Sequence, residues 1–193
     1  MTDSDARQDI RLFDRVMARE AEALGELYDR HSRLLFGLLL RILRNRDEAE
    51  EVLQDVFVQV WKRADTYKVE LGSPLQWLVR VARNRAIDQL RANGLRTRTL
   101  EATPPPLLPT DGPEARAAQS EQQRVLARAL GGLRVEERQL VEHAYFLGLT
   151  QSELAEHFNL PLGTVKTRIR TALSTLRREL QQTMSDVRGY HQV

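Results

Sequence analysis

From Ile10 to about Asn93 the apolar residues return every three or four positions with few Gly or Pro between them, which predicts packed amphipathic helices. No alternating strand pattern competes with it. Three helix starts can be placed. Asp47 with Glu50 has capping-box spacing; Ser73, Pro74 and Gln76 supply an N-cap, a first-turn proline and a reciprocal cap; Thr150 with Glu153 repeats the box later. Between the second and third starts, "TPPPLLPTDGP" interrupts the pattern. Pro104, Pro105, Pro106, Pro109 and Pro113 forbid a continuous helix and favour extended polyproline geometry. Helical periodicity returns from Glu121 to Leu180. The expected fold is all-α: a helical domain over 10–93, an extended linker over 94–119 and a small helical domain over 120–182, without internal repeats.

In the second domain, Thr150 to Phe158 reads as a short capped helix with Leu154, Ala155 and Phe158 on one face. "NLPLG" stops it, and another helix follows within a few residues. Along that helix Val165, Ile169, Leu173, Leu176 and Leu180 form an apolar stripe, with Lys166, Arg170 and Arg177 about 100° away. Soluble helices usually mix signs for i,i+4 pairing, yet here the first compensating acid is Glu179. Two helices at a tight turn, the second amphipathic and basic, predict a helix-turn-helix whose second helix can enter the major groove. Arg and Lys there suit guanine edges and phosphates alike.

Charge changes the picture by its placement rather than its sum. The chain has 193 residues, 41% hydrophobic and 29% charged, with a formal net charge of only +2, so any polyanion-binding surface must come from local clustering. A second such cluster is "WLVRVARNRAIDQLR", Trp77 to Arg91. Trp77, Leu78, Val81, Ala82, Ile87 and Leu90 supply a packing face, leaving Arg80, Arg83, Asn84, Arg85 and Arg91 against the acid Asp88. The loop "TYKVELGSP", with Tyr67, Lys68 and Gly72, precedes it. Its counterpart "DEAEEVLQDVFVQVW" is acid-rich at its start, as the helix dipole favours, and its Val52, Val56, Phe57, Val60 and Trp61 are expected mostly in the core.

These stretches together resemble an extracytoplasmic-function (ECF) sigma factor of the sigma-70 family, from about Leu24 to Arg178. "DEAEEVLQDVFVQVW" resembles the segment that docks on the clamp helices of the RNA polymerase β′ subunit; the resemblance puts polymerase contacts on Asp47, Glu51, Gln54, Asp55, Val58 and Gln59. "WLVRVARNRAIDQLR" resembles the helix facing the melted −10 element, with strand contacts implied at Tyr67, Lys68, Arg80, Arg83 and Asn84. Cations around a pocket suit an unstacked single strand. "LTQSELAEHFNLPLGTVKTRIRTALSTLR" resembles the −35 reading domain: Lys166, Thr167 and Arg170 match base-facing positions, and Thr150, Thr164 and Arg168 match backbone-facing ones. Arg170 and Thr171 depart from the family, which often has an aromatic or His followed by Arg in that pair. The linker stands where relatives thread a segment toward the polymerase active centre. With the sequence ending at Val193, no appended regulatory domain is expected.

The resemblance implies a non-enzymatic specificity subunit whose partners are core RNA polymerase, promoter DNA and an anti-sigma factor, with no cofactor. A stand-alone helix-turn-helix regulator would explain the second domain but not the additional Asn/Arg helix or the linker. A hydrolase lacks support: His31, His143, His157 and His191 show no HExxH spacing, and no phosphate-binding glycine loop or nucleophile elbow is present. The absence of Cys removes disulfides, thiolate metal sites and direct thiol sensing. "MTDSDARQDI" is polar and acidic where a secretory signal would be basic then apolar, and the longest apolar run, Leu34 to Leu40, is far short of a span. A cytoplasmic protein is expected.

Overall fold

A computed structural model of the chain describes residues 3–93 and 127–189. The described residues are helices, short 3₁₀ turns and connections, with no strand among them. The chain divides into two compact units, Met1–Thr97 and Arg98–Val193. The proline-rich linker expected over 94–119 lies outside the described residues.

The first unit contains α1 (Asp3–Met17), α2 (Ala21–Leu43), α3 (Arg46–Arg63), 3₁₀ turns at Ala64–Thr66 and Val69–Leu71, and α4 (Pro74–Ala92). The long α2 packs against α3 and α4, and α1 against α2 and α4. Leu27, Leu35 and Leu39 of α2 recur at helical spacing and are fully buried, as are Phe13, Val16, Val56, Val60 and Leu78 from the other helices. Each such side chain contributes about 1.5 to 3 kcal/mol on burial, so the apolar period holds this unit together.

Two details differ from the sequence expectation. Helix α1 begins at Asp3, before the apolar period sets in at Ile10, and carries Asp9 into the core at 0% exposure. The start of α3 is capped by Asn45, whose side chain accepts from the amides of Asp47 and Glu48 at 2.9 and 3.2 Å. The Asp47–Glu50 box does not form. Glu50 instead pairs with Arg46 one turn away at 2.9 Å, and Asn45 has the extended backbone that a cap requires.

In the second unit, residues 127–131 are helical, followed by α5 (Val135–Phe146), α6 (Gln151–His157) and α7 (Leu162–Gly189). α7 packs on α5 and α6. Leu130, Leu133 and Ala172 form a buried cluster against which Val141 and Leu176 pack, while Leu140, Leu154 and Val165 are buried to within 1%. Leu173, expected on the packing stripe, is 55% exposed and Ala172 takes its place. At about 100° per residue, Leu173 has rotated some 80° from Val165, whereas Ala172 and Leu176 stay within about 20°. No helix of the structure is long and apolar enough to cross a membrane, among the described residues.

Candidate nucleic-acid interface

α4 opens on a capping box. Ser73 Oγ accepts from the Gln76 amide at 3.3 Å, and Gln76 Oε1 accepts from the Ser73 amide at 3.0 Å, with Pro74 in the first turn. The box pins the preceding loop. Gly72 has φ +131°, and a Cβ there would lie 2.3 Å from Gln76 Oε1, so glycine lets the chain pass the capping side chain. Tyr67 closes the loop on itself, its hydroxyl donating to the Gly72 carbonyl at 3.0 Å. Burial pushes the Tyr67 phenol up from its ordinary value, and the Asp14 and Glu70 carboxylates add to this, so the hydroxyl remains a donor.

Two recesses result. One, of about 190 Å³, is lined by Tyr67, Lys68, Leu71, Gly72, Ser73, Gln76, Trp77 and Arg80. The other, of about 240 Å³, shares Trp77 and Arg80 and adds Gln59, Arg63, Thr66, Val81 and Asn84. The Arg83 guanidinium donates to Asn84 Oδ1 at 3.3 Å. The structure thus gathers Tyr67, Lys68, Arg80 and Asn84 around two adjoining recesses, with Arg83 attached through Asn84. Neither recess has an acidic residue in its described lining. Cations with aromatic side chains match the demands of a sugar-phosphate chain with unstacked bases.

On α3, Asp47, Glu51, Gln54 and Val58 are exposed, and Asp55 is half-buried in an ion pair with Arg85 of α4. The helical advance keeps these five within about 80° of Asp47, whereas Gln59 lies about 120° round. Gln59 accordingly lines the second recess with Asn84 rather than joining the stripe. Beside the stripe runs a groove of about 400 Å³ formed by Ala21, Leu24, Tyr28, Gln54, Phe57, Val58 and Trp61. The Tyr28 ring is 4.8 Å from Phe57, and the Arg19 guanidinium lies 5.5 Å over the Trp61 ring. Trp61, expected mostly in the core, is instead partly exposed and borders the groove; Leu24 and Tyr28 carry no site assignment in the sequence analysis, because helical periodicity marks the residues of a core but not which apolar side chains border a groove between two helices. An acidic stripe beside aromatic surface suits a protein partner.

In the second unit, Thr150 caps α6: its hydroxyl oxygen accepts from the Glu153 amide at 3.3 Å, and Glu153 Oε2 accepts from the Thr150 amide at 2.7 Å. The turn to α7 passes through Asn159 at φ 49°, a left-handed position asparagine tolerates, and Pro161, whose carbonyl accepts from the amides of Thr164 and Val165. Thr164, Lys166, Thr167 and Arg168 therefore fall in the first two turns of α7, with Arg170 just beyond. Lys166, Thr167 and Arg170 are exposed; Thr164 and Arg168 are half-buried at the edge of the packing face. The Thr167 hydroxyl donates to the Gly163 carbonyl at 2.9 Å, so its oxygen can still accept a hydrogen bond. Leu173, Ile169 and Leu176 line an apolar groove of about 940 Å³ with Lys166, Arg170 and Arg177.

Of the histidines, His31 and His143 are buried, His157 is exposed and His191 lies outside the described residues. No group of His, Asp and Glu is arranged to hold a metal ion among the described residues.

A helix-turn-helix on one unit and a cationic, aromatic-lined pair of recesses on the other define a DNA-binding transcription protein. Residues 27–96 match the sigma-70 region 2 family and residues 129–178 match sigma-70, region 4. The chain is 34% identical over 172 residues to the ECF RNA polymerase sigma factor SigK of Mycobacterium ulcerans (strain Agy99), covering 88% of this chain and 92% of that protein. It is 32% identical over 170 residues to SigK of Mycobacterium tuberculosis (strain ATCC 25177 / H37Ra), covering 86% and 90%. Among solved structures it is similar to Rhodobacter sphaeroides SigE in complex with the anti-sigma ChrR, at 33% identity and a TM-score of 0.46, covering 89% of this chain and 98% of that one. The chain belongs to the ECF RNA polymerase sigma factors. It is a sigma factor that directs core polymerase to promoters for the initiation of transcription.

Proposed function

We propose that the recesses at the start of α4 hold the opened −10 strand, that α7 reads the −35 duplex, and that the acidic stripe of α3 with its apolar groove docks on the β′ clamp helices. The observation that carries this reading is the sharing of Trp77 and Arg80 by two adjoining recesses lined by Tyr67, Lys68 and Asn84. A duplex presents its bases edge-on inside a groove, whereas a recess with an aromatic wall and a cationic rim takes a base only after it has left the stack. On α7, Lys166, Thr167 and Arg170 meet base edges, while Thr150, Thr164 and Arg168 hold backbone phosphate. Asp47, Glu51, Gln54, Asp55 and Val58 meet polymerase. Gln59 is assigned to the −10 recess by its place beside Asn84. The domains are the helical pair over 10–93 and 120–182 on a linker over 94–119. The protein performs no chemistry itself, works in the cytoplasm where polymerase and DNA meet, and has an anti-sigma factor as a further partner.

The test is transcription by core polymerase with the full chain on templates randomised across the two promoter elements, followed by permanganate footprinting on the selected promoter. Arg80→Ala with Asn84→Ala is expected to preserve polymerase binding and closed-complex formation and to lower −10 thymine reactivity about ten-fold or more, as expected from losing a cationic contact and a polar one. Unchanged thymine reactivity in the double variant would reduce α4 to a packing helix with a charged exterior.

A further inference from the structure

The wall of the first recess is held from behind by a helix that lies N-terminal to the matched region 2 segment, which begins at residue 27. Phe13 of α1 is fully buried. Its ring centroid is 4.9 Å from that of Tyr67, at an interplanar angle of 55°, and 5.5 Å from that of Trp77, at 88°. Tyr67 and Trp77 are themselves 6.3 Å apart at 74°. The three rings form a closed set of contacts, edge-on at Trp77 and tilted between Phe13 and Tyr67, and α1 packs on both α4 and the 3₁₀ turn Ala64–Thr66 that leads into Tyr67. The next residue of α1, Asp14, contributes to raising the Tyr67 phenol, which places the helix electrostatically as well as sterically beside the loop.

We propose that Phe13 is a positioning residue for −10 recognition: it touches no DNA, but its ring sets the orientations of Tyr67 and Trp77 and thereby the width of the recess between them. The inference rests on the assignment of that recess to the unstacked −10 base. The capping box and the 3₁₀ turn Val69–Leu71 hold the backbone of the loop, while the ring of Tyr67 meets those of Phe13 and Trp77. Tyr67 is anchored at one end by its hydroxyl on the Gly72 carbonyl, and Val69 and Leu71 within the loop are 54% and 69% exposed, so they supply little packing. Ring orientation on the buried side therefore falls to Phe13. Replacing that ring by an aliphatic side chain of similar bulk removes both aromatic contacts and preserves most of the apolar burial. The recess then accepts a wider range of bases.

The experiment uses the full chain with core polymerase and template pools randomised at either the −10 or the −35 element, with transcripts counted by sequencing. Phe13→Leu and Phe13→Met are expected to lower discrimination at the base seated in the recess by about three- to ten-fold, the scale of one or two aromatic contacts. Affinity for core and the −35 profile should stay within about two-fold, on that same scale. Val16→Ala trims the same buried face of α1 without removing a ring and should leave the −10 profile as in the parent protein. A −10 profile unchanged in both Phe13 variants, or flattened equally in Val16→Ala, overturns the inference. Tyr67→Ala in the same pools separates the two levels. If it alters the profile while the Phe13 variants do not, the buttress alone is wrong; if it too has no effect, the assignment of the recess fails and the inference falls with it. Should one Phe13 variant not fold, the other carries the same comparison.

Discussion

Asp9 Oδ2 lies 3.0 Å from His31 Nε2 in the core of the first unit, at ion-pair distance but not aligned as a hydrogen bond. The other carboxylate oxygen accepts from Arg30 Nε at 2.9 Å. Both contacts run from α1 to α2, so a buried polar set joins the first helix to the unit alongside the apolar burial of Phe13 and Val16. Removing one partner of such a set strands the others, which costs more than the interaction itself contributes. Asp9→Ala is expected to lower stability by about 1 to 3 kcal/mol, measured as a shift of the urea midpoint at unchanged slope. A shift near zero would mean that the Asp9 set adds nothing to the apolar packing of α1.

Helix α7, proposed to read the −35 duplex, offers a contrast between two arginines. Arg170 is exposed beyond Lys166 on the cationic face, and Arg168 is half-buried at the edge of the packing face. Arg170→Ala should change preference at one or two upstream positions by about 1 to 3 kcal/mol, whereas Arg168→Ala should weaken all sequences alike. A randomised −35 library distinguishes these patterns. Uniform loss from both would remove Arg170 from base reading.

Polymerase docking and strand capture should separate along α3. Val58 is 48% exposed beside the groove, and a charge there can be tolerated in the free protein but not beneath a partner. Val58→Asp is therefore expected to weaken core binding about ten-fold or more, by the cost of desolvating an unpaired carboxylate. Gln59→Ala should leave core affinity within about two-fold, as a truncation outside the interface does, while lowering promoter opening. Fluorescence anisotropy with labelled protein and core reads the first quantity, and permanganate reactivity the second.

Acidification should loosen the second unit. Burial holds the His143 imidazole below its ordinary value of 6.5; the Gln139 carbonyl partly opposes it, His157, 5.0 Å away between ring centroids, adds to the lowering, and Glu142 opposes it least. The Gln139 carbonyl is 2.8 Å from Nδ1, which fixes the neutral tautomer with its proton there. The folded state thus binds the proton less readily than the unfolded one. The associated stability is present above pH 6.5 and is lost as pH falls from there through the folded value. Thermal midpoints of the full chain should drop over this window, and His143→Gln should flatten the dependence. A His143 proton resonance titrating at or above the ordinary value would reverse the sign.

Local chemistry was legible in the sequence wherever a feature depends on residues within a turn of one another. The Ser73–Gln76 and Thr150–Glu153 boxes form because cap and partner are three residues apart, and the all-helical class follows from the apolar period. The order of basic and acidic helices along the chain was likewise enough to point to the family. Tertiary structure decided what depends on distant neighbours. Asn45 displaces Asp47 as a cap because the end of α2 turns the chain there through Arg44 at φ 56°. Asp9 sits in a polar N-terminal stretch, and only the approach of Arg30 and His31 makes its burial possible. Gln59 and Val58 are adjacent in sequence but about 100° apart on the helix, so packing of α4 sends one to the recess beside Asn84 and leaves the other beside the groove. Phe13 reads as one more core position until Tyr67 and Trp77 are brought against it from more than fifty residues away. A hydrophobic period reports that a side chain will be buried, because burial needs only an apolar face; it carries no information about which side chains will meet there, because that is set by how whole helices cross.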